Sequence, residues 1–214
     1  LDAKPNYNND DHPPTMTITS SQPKTYSAEE YLHLDVGSEL RHEYHHGEII
    51  PMPGGTPAHN EIIRMLVFLL TANLRKQPYS IFVTDQRLWI PTRAIGPEET
   101  DELYTYPNVM VTSRPVTLKP GRKDTVINPI LIAEVLSDST QGYDRGDKFA
   151  AYRTIPTFEE YLLIDQSKPH VEQYGKQAEN QWLFTEYYGL DQTLNLQSVG
   201  VAIALTDLYE AIDW

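Results

Sequence analysis

The stretch "PILIAEVLSDST" (residues 129–140) decides how this chain is read. Its opening is apolar and rich in strand-tolerant residues, yet Glu134 stands in the middle between Ala133 and Val135. An ionised, unpaired carboxylate in an apolar sheet costs roughly several kcal/mol even after relaxation. Glu134 therefore needs a partner. Alternate strand residues share a face, so Ile132, Glu134 and Leu136 point one way and Leu131, Ala133 and Val135 the other. Two readings follow. Glu134 is a ligand for a hard divalent cation at a strand end over a cleft, or it is a buried glutamate paired with one Arg or Lys.

The rest of the chain limits the choice. Its 214 residues are 40% hydrophobic and 10% aromatic, enough for one sizeable core and one domain. The absence of cysteine excludes a disulfide framework and a thiolate metal site, and agrees with a reducing, cytoplasmic setting. No segment approaches the roughly 18 consecutive apolar residues of a membrane span, and no basic-then-apolar leader is present. Seventeen basic residues against 30 acidic ones give a net charge of −13, which argues against a protein that coats DNA non-specifically. A local, metal-neutralised site for one phosphodiester is compatible with that balance.

Residues 1 to about 25 carry few large apolar side chains and read as a flexible tail, which leaves 26–214 as the folded domain. "SAEEYLHL" opens with a capping box, Ser27 and Glu30. "HEYHHGEIIPMP" reads as two short strands around His46 and Gly47, and "PAHNEIIRMLVFLLTANLRKQ" as the best helix. "YSIFVTDQRLWIP" and "YPNVMVTS" read as strands, separated by an acidic loop, "RAIGPEETDELYT". After the Glu134 strand come a helix ("DRGDKFAAYR"), a strand ("EEYLLID"), a hairpin ("HVEQYGK", "QWLFTEYYG") and a closing strand and short helix ("VAIALTDLYEAI"). The order is α/β, with one central mixed sheet flanked by helices.

Downstream of Glu134, residues Asp144, Lys148 and Tyr152 recur every four positions and so share a helix face. Upstream, "YPNVMV" begins a second apolar strand with Pro107 and Asn108. Two such strands with a nearby lysine are the skeleton of the PD-(D/E)XK nuclease superfamily. "RHEYHHGEI", His59 at the head of the long helix, "YPNVMV", "EVLSDST", "DRGDKFAAYR" and "EEYLLID", in that order, resemble the Uma-type restriction endonuclease family within it. The likeness spans about residues 25–210.

The resemblance implies a restriction-endonuclease-like fold, hydrolysis of DNA phosphodiesters with Mg²⁺ or Mn²⁺, and a homodimer. By position it makes Glu134, Lys148, Asp85 and Glu43 catalytic, with Glu134, Asn108, Asp85 and Glu48 at the metal. Either Glu43 or Glu48 is the early acid. His59, Ser137, Asp144 and Tyr152 are the substrate contacts. Two departures stand out. Leu136 occupies the place of the (D/E)XK lysine, so Lys148 must supply the amine from the next helix. Asn108 replaces the Asp of the PD motif, which removes one formal charge. At an effective dielectric near 20, a unit charge a few ångström away is worth roughly 4 kcal/mol before solvation. Reduced activity is expected unless Asp85 or Glu43 compensates. The alternative is an inactive nuclease-fold protein that binds nucleic acid or protein.

Other motifs have plainer readings. "HEYHH" (residues 42–46) matches the zinc-hydrolase H-E-x-x-H pattern, but that chemistry needs both histidines on one helix face, and Gly47 follows at once. Ser137, Ser139 and Thr140 either bind phosphate or cap the turn before the Asp144 helix, and the cap is favoured. The aromatic residues Tyr174, Trp182, Phe184, Tyr187 and Tyr188 suit hairpin packing or a dimer surface better than a base-stacking platform.

Overall fold

The structure is a computed structural model that describes residues 24–52, 54–91 and 102–214. Most of the expected tail, and most of the acidic loop, lie outside the described residues.

The chain begins with α1 (Ala28–Gly37), whose Ser27 and Glu30 form the expected capping box. The hairpin β1 (His42–His45) and β2 (Glu48–Pro51) turns through His46 and Gly47, at φ 50° and 84°. Positive φ at both central residues matches the right-handed twist of the strands. Helix α2 (Pro57–Asn73) is capped by Thr56 and starts on a proline, whose missing N–H is no loss there. Strands β3 (Tyr79–Val83), β4 (Arg87–Pro91), β5 (Glu102–Thr105), β6 (Val109–Ser113), β7 (Thr125–Val126) and β8 (Pro129–Leu136) follow.

Then comes one helical stretch made of α3 (Gln141–Tyr143), a π turn (Asp144–Lys148) and α4 (Phe149–Tyr152). Strands β9 (Glu160–Asp165), β10 (His170–Ala178), β11 (Gln181–Tyr188), β12 (Thr193–Leu196) and β13 (Val201–Ala204) lead to α5 (Leu205–Leu208).

The strands form a six-stranded sheet ordered β11-β10-β9-β8-β6-β3, a five-stranded sheet ordered β2-β1-β5-β4-β7, and the β12-β13 pair. The six-stranded sheet is mixed: β8 runs parallel to β9 and antiparallel to β6. Leu131, Ala133 and Val135 bury against α2, β13 and α5 on one face, while Ile132 and Leu136 bury with Phe149, Phe158 and residues of β4 and β5 on the other. The alternation read from "PILIAEVL" is therefore the alternation between two cores, and Glu134 points into the second.

Three expectations are corrected. There are two substantial sheets where one was expected. "YSIFVTDQRLWIP" divides at a turn, closed by Gln86 N–H donating to the Val83 carbonyl at 2.9 Å, and its halves join different sheets. The end of the acidic stretch, Glu102–Thr105, is the strand β5, with Leu103 and Tyr104 buried. Its composition reads as a loop, but pairing with β1 and β4 outweighs local preference. Strands β7 and β12 have no counterpart in the sequence reading. In the hairpin, Tyr174 and Trp182 pack around Phe149, as a packing role requires, while Phe184 and Tyr188 stay exposed.

Candidate active site

At the C-terminal end of β8 a cavity of about 400 Å³ opens between β8, the head of α2, and the stretch from α3 through the π turn. At its floor three buried carboxylates meet one buried amine. The Lys148 Nζ lies 3.1 Å from Glu43 Oε1, 3.1 Å from Glu134 Oε1 and 3.3 Å from Asp144 Oδ1. Each carboxylate comes from a different element: β1, β8 and the π turn. Glu134 also accepts from the Tyr152 hydroxyl at 2.9 Å and, on Oε2, from the Asn108 N–H at 3.0 Å. Glu43 is held by the Thr105 hydroxyl and the Tyr106 N–H.

Asp144, Lys148 and Tyr152 thus serve one site from one helix face, as their spacing predicts. The π turn widens the helix over the segment that carries two of them, and such turns are frequent at functional sites. Asn108 brackets the strand end. Its Oδ1 accepts from the Val135 N–H at 2.8 Å, just beyond the last β6–β8 pair, Val109 with Ala133.

Three carboxylates around one ammonium leave two formal negative charges underground. Burial pushes the Glu134 carboxyl up, Lys148 pulls it down, and Asp144 and Glu43 push it up again, with the balance at about 7. Burial also works against the Lys148 ammonium, but the three carboxylates together hold it well above the ordinary lysine value, so it stays charged. The Glu134 shift has a consequence for stability. Its carboxyl binds a proton more readily in the folded than in the unfolded chain between about pH 4.5 and 7, so its contribution to stability falls as pH rises through that window. His59 works in the opposite sense: burial lowers its pKa, against the Val135 backbone, the Asn108 side chain and Asp144. Urea midpoints of Glu134→Gln minus those of the wild type isolate the Glu134 part, and that difference is expected to grow in the variant's favour from pH 5 to 7.

The other expected residues divide. His59, Ser137 and Asn108 line the cavity. The His59 N–H donates to the Thr56 hydroxyl at 3.1 Å, which fixes the residue at the helix head. The Ser137 carbonyl accepts from the Thr140 and Gln141 N–H groups, but α3 has no side-chain cap: its N-cap is Thr140, and the Ser137 hydroxyl pairs with the hydroxyls of Ser139 and Thr140 at 3.1 and 2.8 Å. Asp85 and Glu48 lie elsewhere. Asp85 sits in the turn between β3 and β4, its side chain 82% exposed and 3.7 Å from Arg41; a short polar side chain there is turn chemistry. Glu48 is exposed on β2, opposite His45. Glu43 alone of the two early acids faces the cavity. The "HEYHH" segment is a strand and a turn, so its histidines do not share a helix face, which removes the zinc-hydrolase reading.

Sequence reading missed Tyr143. Its hydroxyl is buried at the cavity and, among the described residues, has no hydrogen-bond partner; the same holds for His59 Nδ1. Its ring lies 5.6 Å from the Lys148 ammonium. The repeat of Asp144, Lys148 and Tyr152 could have pointed to it only through its place beside Asp144.

Residues 28–206 match the family model described as "Uma2: Putative restriction endonuclease". The chain belongs to the Uma2 family. Two relatives from Synechocystis sp. (strain ATCC 27184 / PCC 6803 / Kazusa) are similar along most of their length. Uncharacterized protein sll1609 is 42% identical over 166 residues, 78% of this chain and 89% of that one. Uncharacterized protein slr1290 is 33% identical over 188 residues, 87% and 92% respectively. A crystal structure from Anabaena variabilis ATCC 29413, described as a putative nuclease belonging to DUF820, superposes with a TM-score of 0.66 over 85% of this chain and 96% of that one, at 19% identity. The Uma2 chain thus has the expected restriction-endonuclease-like α/β fold, and its family supports a nuclease. Among the described residues, no helix is long and apolar enough to cross a membrane.

Proposed function

We propose that the cavity is the active site of a divalent-metal-dependent endonuclease acting on DNA phosphodiester bonds. The observation that carries this reading is the convergence of Glu43, Glu134 and Asp144 on Lys148 at the foot of one open cavity. The donor set fits a hard dication in kind, being carboxylate oxygen, and in charge, since two negative charges are left over. Among the described residues, no group of three or more His, Cys, Asp or Glu side chains is placed to hold an ion. Mg²⁺ tolerates that, because it is usually held by one or two carboxylates and completed by water and substrate phosphate. Glu134, with Asp144 or Glu43, would hold it. When bound, such an ion supplies charge neutralisation at the phosphate and a more acidic water.

The chain's own groups do the rest. Tyr152 and the Asn108 N–H fix the Glu134 carboxylate from two sides. Lys148 keeps a positive charge where the phosphate's negative charge grows. All three carboxylates compete for its N–H groups, so with one of them engaged by an ion Lys148 would have an N–H group to offer the substrate phosphate. Neutral His59 and Ser137 line the approach. Cutting both strands of a duplex would take two copies of the chain, as a homodimer.

The second reading, a binding module, is favoured by one observation: the Lys148 ammonium is already surrounded by protein carboxylates. Supercoiled plasmid with Mg²⁺ or Mn²⁺ decides between them. Nicking by the wild type that Glu134→Ala abolishes supports the enzyme, and silence of the wild type overturns it. Asn108→Asp adds the charge that the family pattern carries at that position. It is expected to tighten Mn²⁺ binding about tenfold or more by calorimetry, from a fraction of the roughly 4 kcal/mol that a nearby unit charge exerts. Unchanged affinity would place Asn108 away from the ion.

A further inference from the structure

A second concavity, about 510 Å³, lies at the far end of α2. Arg75, Lys76 and Arg114 line it with Tyr79 and Phe82 of β3, and none of its lining residues is acidic. In a chain with 30 acidic residues and 17 basic ones, that local composition is inverted. The three cations are exposed, and no ion pair joins them to a carboxylate among the described residues. The Arg114 Nε donates to the Ser80 hydroxyl at 3.1 Å, and its backbone N–H to the Pro78 carbonyl at 2.8 Å, which hold its guanidinium beside β3. Strand β3 is the edge of the six-stranded sheet. Tyr79 and Phe82 are half-buried and pack into the two cores on opposite faces of β3, so what this surface offers a ligand is charge: three exposed cations suited to backbone phosphates.

We propose that this basic concavity is a second backbone contact, gripping the nucleic acid several nucleotides from the bond that is cut. The inference rests on the nuclease reading and extends it. Helix α2 joins the two places, with His59 in the cavity and Asn73 at its last turn. Fourteen residues at 1.5 Å each separate them by about 20 Å, the rise of about six nucleotides. A chain of net charge −13 repels a polyanion over most of its surface, so a local grip of this kind is what would keep a strand near the acidic floor. An acidic protein partner would suit the charges as well, but gives no reason for their place at the other end of the helix whose head lines the candidate active site.

The test is fluorescence anisotropy of a labelled duplex of about 20 base pairs, with Ca²⁺ replacing Mg²⁺, for the wild type and for Arg75→Gln/Lys76→Gln/Arg114→Gln. All three positions are exposed, so the variant is expected to melt with the wild type. Its affinity should fall at least tenfold, and its log K against log salt slope should flatten by about 2.7, three contacts at 0.9 each. Wild-type binding with an unchanged slope in the variant overturns the inference and leaves the nuclease reading standing. Wild type that neither binds this duplex nor nicks plasmid overturns both. Loss of binding to polyglutamate with DNA binding intact assigns the surface to an acidic protein and overturns it as well.

Discussion

Lys148→Met is expected to lower folding stability by about 3–5 kcal/mol at pH 7, the usual cost of stripping one partner from a buried charge cluster. The lysine side chain is 8% exposed and touches three carboxylates, each more buried than itself. Without the ammonium, Glu43, Glu134 and Asp144 face one another across a few ångström with nothing to compensate them but hydroxyl and amide donors. Methionine fills the space, so the loss reports charge and not a void. Protonation relieves the repulsion, so the deficit should shrink as the pH falls from 7 to 5. Urea midpoints at the two pH values measure this, and equal midpoints for variant and wild type would show that the cluster does not bear on stability. If the cavity cuts DNA, the variant is also silent at every metal concentration.

Asp35→Ala should cost a similar amount, about 3–5 kcal/mol, for a different reason. Asp35 is fully buried and accepts from Arg87 at 2.5 Å, from the Tyr106 hydroxyl at 2.5 Å and from the His42 N–H at 2.9 Å. Its removal strands the guanidinium on Asp124 alone, with Arg87 Nε already lacking a partner among the described residues. Burial raises the Asp35 pKa, but the bonds from Tyr106, Arg87 and His42 outweigh it and hold the carboxyl below its ordinary value of 3.8. A depressed folded pKa contributes stability that is present above pH 4 or so and lost as pH falls through the folded value. The difference between wild type and variant should therefore narrow only in acid, whereas the Lys148→Met deficit narrows already between pH 7 and 5. Because Tyr106 lines the cavity two residues before Asn108, Asp35→Ala should also slow any cleavage, although Asp35 lies outside the cavity lining.

The site was legible where its geometry is local. The two faces of "PILIAEVL" follow from the period of a strand, and the meeting of Asp144, Lys148 and Tyr152 follows from the period of a helix. The tie between Glu134 and Lys148, 14 residues apart, needed only that the helix pack back on the strand before it. What distant pairing decides was not legible. Asp85 sits in a run that reads as continuous strand, yet the chain turns there to enter another sheet. The choice of Glu43 over Glu48 depends on strand order and not on face: the register puts both on one face of the hairpin, but β1 is the inner strand, beside β5, and β2 is the edge, and β5 is hidden in an acidic stretch. Tyr143 carries no pattern of its own, and only its place in the cavity wall gives meaning to a hydroxyl that has no hydrogen-bond partner among the described residues.

The central proposal is that a phosphodiester is broken at the carboxylate–lysine floor of the cavity. Its most direct test is the single-turnover cleavage rate of a DNA duplex with Mg²⁺ for the wild type and for Glu134→Gln, which keeps the shape of the side chain and removes its charge. The expected result is a measurable wild-type rate that falls about a hundredfold or more in the variant, the scale of losing a main electrostatic group from an active site. Equal rates for two proteins of equal purity, or a wild type that leaves the duplex intact, would contradict it.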